Sequence, residues 1–219
     1  MAQHCWSAAC RWSMLAALVG TVLAAGGCAN ALFTAAWLVK GGNVDPEYAG
    51  LKNKKVAVVC RSPGDLAYRD SNVGKDLARE IGKFLKQNVT KIQVVDARKV
   101  DDWIDENTWN EYTEVGKAVG ADLVVGVDLE EFGLYEGQTV YQGKASVVVK
   151  VYDCKTGESV FEKRLPRVVY PPSGVVPTSD KSEADFRRMF VRVLSDQIAR
   201  HFYPHDPRDY FAIDSTAMH

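Results

Sequence analysis

The stretch RSPGDLAYRDSNVGKD, residues 61–76, holds the residue types in the folded part of the chain best suited to chemistry. It follows an apolar run and precedes a helical pattern, where a glycine-containing loop can turn backbone N–H groups toward a phosphate. Gly64 lies ten residues before the Gly74–Lys75 pair, and Asp76 stands where a Ser or Thr would hold magnesium. That spacing argues against a nucleotide loop. What remains is a candidate ligand loop of Arg61, Ser62 and Asp65, at a strand end of the kind where open α/β sheets bind ligands. An ordinary turn is the simpler reading of the same residues. His201 and His205 lie four apart beside Asp206, but Pro204 interrupts the helix that a metal pair on one face needs. No metal is expected there. Glu130 and Glu131 could pair for acid–base work, yet neighbours in a strand point to opposite faces. DDWIDENTWNEYTE, residues 101–114, runs acids around Trp103 and Trp109 without the glycine or spacing of a calcium loop. It reads as a solvated helix face with aromatic anchors. With no nucleophile–base pair in view, neither an enzyme nor a cofactor is expected.

Cys60 and Cys154 are the two cysteines outside the N-terminal region. In an exported protein they can form a disulfide; two buried small hydrophobes at strand ends is the other reading. Tyr203, Tyr210 and Phe211 are candidate partner contacts, because aromatic groups on an extended segment suit docking. Packing back over their own domain would serve equally well.

Cys28 is a different matter. From Trp12 to Val39 there is no charge, and Arg11 and Lys40 bracket the gap. In one reading Arg11 forms a short positive region, MLAALVGTVLAA is an apolar core, and Gly26 and Gly27 admit a signal peptidase before Cys28. This resembles the lipobox of bacterial lipoproteins, with Ala25 and Gly26 where Leu and then Ala or Ser are usual. The resemblance implies that Cys28 takes acyl chains, palmitate among them, and becomes the new N-terminus. In the other reading the run stays uncleaved as a transmembrane anchor, since about 20 apolar residues span a bilayer. The apolar ALFTAAWLV after Cys28 suits that anchor better. Either way the domain is exported.

The elements that must position these residues follow from periodicity. KVAVVC (55–60) is a buried-strand run, and residues 71–88 place Val73, Leu77, Ile81 and Leu85 on one helix face. KIQVV (91–95) is a second strand, and Asp96 caps a short helix before another carrying Tyr112, Val115 and Val119. Strands over 121–132 and 139–153 are followed by a hairpin partner over 158–170, then by a loop through PPSGVVPTSD. A last helix, 182–203, opens with Ser182 and Asp185 at capping spacing and carries Phe186, Phe190, Leu194 and Ile198 toward a sheet. The order β-α-β-α-α-β-β-β-α predicts an α/β fold, a three-layer-like sandwich with a mixed sheet of about five strands. The first strands are expected to be parallel and the last three a meander. The chain divides into a signal peptide (1–27), a lipid-anchored apolar segment and linker (28–53), one α/β domain (54–203) and an extended tail (204–219).

At GADLVVGVDLEEF, with VVVKVYDCKTGESVFEK after it, the chain resembles exported bacterial lipoproteins. These are the curli-secretion family, the penicillin-binding-protein activators and the N-terminal domain of the Tol–Pal translocation protein. The matching residues are Gly120, Ala121, Asp122 and Gly126, then Asp153, Thr156 and Gly157, within a likeness over residues 54–202. They are strand-and-turn residues and need no active site. EFGLYEGQTVYQG is too short and polar to become the membrane hairpin of a curli-type channel, so no pore is expected. The resemblance implies an accessory or assembly protein, lipid-anchored at the cell membrane or outer membrane, its domain on the periplasmic side, with an envelope protein as partner. With 27 basic against 28 acidic residues and a net charge of −1, nothing supports nucleic acid as a partner.

Overall fold

Consecutive valines make Lys55–Arg61 the central strand, β1, in the computed structural model of this chain. The structure describes residues 42–62 and 72–207. Val44–His219 forms one compact unit; the other, Met1–Asn43, lies outside the described residues except for its last two.

After β1 come α1 (Val73–Asn88), β2 (Gln93–Val94), α2 (Ala97–Glu106) and α3 (Tyr112–Ala118). Then follow β3 (Leu123–Tyr135), β4 (Val140–Asp153), β5 (Ser159–Arg164), β6 (Val168–Tyr170), β7 (Val176–Pro177) and α4 (Glu183–Ala199). The sheet order is β2-β1-β3-β4-β5. β1 pairs in parallel with β2 and β3, and β4 is antiparallel to β3 and β5, as the pattern predicts. The expected hairpin partner is two strands rather than one, because Pro166 cannot donate to a ladder. β5, β6 and the short β7 lie along the same side of β4.

Both sheet faces are covered around β1. On one, Leu77 and Ile81 of α1 and Phe186, Phe190, Leu194 and Ile198 of α4 pack against Val58, Val125 and Val149. On the other, Val100 of α2 and Tyr112 and Val115 of α3 pack against Ala57, Val59 and Val124. That is the three-layer arrangement.

Local chemistry ends the elements where it should. The Asp96 carboxylate accepts from the Arg98 N–H at 2.9 Å and the Ser182 hydroxyl from the Asp185 N–H at 3.2 Å. Gly120 takes φ +70° to leave α3, a region open to glycine at no steric cost. In the β4–β5 turn Asp153 accepts from the N–H groups of Lys155 and Thr156, which hold its carboxyl below the usual range.

The fold begins earlier than the expected linker boundary. Leu51 is fully buried, and Tyr48 packs against Phe161 and Phe202. Val44 and His205 exchange backbone hydrogen bonds of 2.8 and 3.2 Å, so the chain enters and leaves the described unit at one place.

Candidate functional site

The chain steps from β1 to β2 on one side and returns to β3 on the other, with helices on opposite faces. In open α/β sheets such a reversal of strand order marks the strand-end crevice where ligands bind, here at the carboxyl ends of β1 and β3. Arg61 ends β1 there, in register with Asp128 of β3. Its guanidinium carbon lies 4.5 Å from the Trp109 ring centre and 4.9 Å from that of Tyr112. Its Nη2 donates to the Asn110 carbonyl at 2.6 Å. Rings at this distance attract a cation through their negative faces.

Tyr112 anchors the site. Its ring lies over Gly126, where an added Cβ would come within 2.9 Å of three ring atoms. It stacks on Tyr152 at 5.6 Å, and its hydroxyl donates to Asp128 Oδ1 at 2.6 Å. Lys150 Nζ stands 3.6 Å from Asp128 Oδ2 and 3.9 Å from Glu162. Burial, reinforced by the Asp128 carboxylate, pushes the Tyr112 phenol well above its ordinary value. The same two causes push the Cys60 thiol up to about 12. Both groups are held in the protonated form more firmly than in free solution. What the site offers is a guanidinium resting on two adjoining rings, able to meet an anionic or planar group.

The predicted ligand loop does not gather here as one cluster. Arg61 reaches the α3 side of the sheet. Ser62 sits on the α1 side, its hydroxyl 3.2 Å from where a Cβ on Gly74 would lie. Asp65 lies outside the described residues, as do Cys28, Tyr210 and Phe211. Tyr203 is not an exposed partner contact: it is 6% exposed and donates to Asp196, which Arg200 also holds at 2.5 Å. Cys60 and Cys154 are free thiols and do not pair, because Cys60 faces the α1 core and Cys154 the α3 core. His201 faces Glu47 at 3.1 Å, and Glu47 also takes Lys163 at 2.9 Å.

Glu130 and Glu131 depart from strict alternation. At a bulge between Leu129 and Glu131, Glu130 meets Arg164 at the end of β5 and Glu131 meets Arg167 in the segment before β6. Each carboxylate is thus matched by its own arginine.

Sequence reasoning placed Tyr112 in a core stripe and Trp109 as an anchor, and passed over Asp128 and Lys150. The signal for them was Gly126 in a buried strand run, a vacancy that a ring from the covering helix fills.

No family model matches the chain, and no curated protein sequence does. The solved structures similar to this chain include the following three, each with a TM-score under 0.5. The PelC dodecamer protein from Paraburkholderia phytofirmans is 12% identical, with 73% of this chain and 93% of that one covered and a TM-score of 0.45. Lipoprotein GNA1162 from Neisseria meningitidis is 17% identical over 66% of this chain and 97% of that one, with a TM-score of 0.41. The LpoB C-terminal domain from Salmonella enterica is 14% identical over 53% and 83%, with a TM-score of 0.36.

Proposed function

We propose that this protein is a lipid-anchored cell-envelope lipoprotein that acts, without catalysis, as an accessory or assembly factor through protein contacts. The observation that carries the reading is the charge-free run from Trp12 to Val39 with Gly26 and Gly27 before Cys28. Among the described residues no helix is long and apolar enough to cross a membrane. Acyl chains contribute about 0.8 kcal/mol per buried CH₂, which makes a multiply acylated cysteine a durable tether.

A pull-down from detergent-solubilised envelopes tests this. A stoichiometric membrane partner is expected, and its absence counts against the reading. The second reading is a ligand-binding or enzymatic domain held by an uncleaved anchor, favoured by the Arg61 guanidinium resting on Trp109 and Tyr112. Ligand-induced thermal stabilisation would favour it.

A further inference from the structure

Away from the strand-end crevice, α1 and α4 lie side by side and leave a groove of about 890 Å³ between them. That volume falls in the range of ligand sites, about 300–1,000 Å³. Five basic side chains line it, Arg79 and Lys83 from α1 with Arg187, Arg188 and Arg192 from α4, against three acids. The acids are engaged within the chain. Asp76 meets Arg79 at 3.0 Å and Arg187 at 3.9 Å, and Glu80 meets Lys83 at 2.5 Å. Glu183 accepts the Tyr135 hydroxyl at 2.5 Å. Arg188 pairs with Asp185 on the exposed rim, and Arg192 makes no ion pair among the described residues. Arg79 also meets Asp101 at 3.5 Å, so the basic excess of the lining rests on Arg192.

Its floor is not uniformly polar. Met189 and Val191 lie between Arg188 and Arg192 along α4, with Ala184 a turn before Arg187 and Arg188. A guanidinium fork binds carboxylates in two-point fashion, and a methionine adapts its shape to an apolar side chain laid against it. We propose that this groove docks a segment of a protein partner in which carboxylates flank an apolar residue. The proposal rests on the accessory-protein reading and specifies the chemistry of its partner.

The test uses the full chain in detergent and a fluorescein-labelled octapeptide, Glu-Glu-Leu-Glu-Glu-Leu-Glu-Glu, followed by anisotropy. The peptide should bind at low salt and weaken as salt is added, while its counterpart with Lys for every Glu should not bind. Arg188→Glu/Arg192→Glu changes two exposed side chains, so its melting temperature should match the wild type while affinity falls roughly tenfold or more. Equal binding by both proteins, or binding by neither, overturns the proposal. So does a wild type that self-associates at low salt while the variant does not, since the acidic 101–114 stretch of a second copy would then be the occupant. Envelope pull-downs with both proteins separate the two ideas. One partner captured equally by both keeps the accessory reading and removes the groove from it. Peptide binding without any captured partner does the reverse.

Discussion

Tyr112 joins two constraints in one side chain: its ring fills the space over Gly126, and its hydroxyl ends on Asp128. Removing only the hydroxyl, Tyr112→Phe, leaves the carboxylate short of a donor and should cost about 1.5–3 kcal/mol in denaturant unfolding. Gly126→Ala should cost about 1–3 kcal/mol by the same measurement, because the new methyl group meets the ring and the strand cannot retreat. An unchanged midpoint in both variants would mean that the ring does not rest there. The cysteines make a simpler case. Cys60 and Cys154 should both take an alkylating label in denaturant without reductant, as free thiols on opposite sheet faces must. Little of this was legible in the sequence. A tyrosine in a helical stripe looks the same whether its hydroxyl meets water or a carboxylate sixteen residues on, and only the register of β1 with β3 joins Arg61 to Asp128.

Among the elements, α4 was the most legible, because its large apolar residues repeat at helical spacing beside a capping serine. Phe190 is fully buried, stacks on Phe132 at 5.3 Å, and occupies the space a side chain on Gly143 would need. Phe190→Ala should cost about 3–5 kcal/mol. Arg188→Ala, at a side chain 73% exposed, should stay within about 0.5 kcal/mol. Comparable small effects at both would show that the stripe does not face the sheet. The division of 158–170 into β5 and β6, and the bulge at Glu130–Glu131, were not legible, since both depend on how β4 curves under its neighbours. At the far end of α4, burial holds the His201 imidazole below its ordinary value of 6.5, and Lys163 and His205 add to this while Glu47 opposes it. The unfolded chain binds a proton on that ring near 6.5 that the folded chain resists, so this stability is present above that pH and is lost as pH falls. The melting temperature should therefore fall from about pH 7.5 to about pH 5.5, and His201→Gln should flatten the fall. An equal slope in the variant would assign the effect elsewhere.

For the whole molecule, the order of helices and strands was enough to predict the layers, since parallel strands joined through helices leave few arrangements. In an accessory protein that works through its anchor and its partner, replacing Arg61, Ser62 and Asp65 together with Ala should leave membrane association and partner capture intact. Changing Tyr210 and Phe211 should be the more damaging of the two if the tail meets a partner. A folded loop variant without cellular function, beside a silent tail variant, would transfer the site to the strand-end crevice. The most direct test is metabolic labelling with a fatty-acid analogue, read with the mass of the mature N-terminus. The wild type should carry label and begin at Cys28, while Cys28→Ser should lose the label and run as the unprocessed precursor. A wild type that keeps residues 1–27 and carries no lipid would contradict the lipoprotein reading and leave an uncleaved membrane anchor in its place.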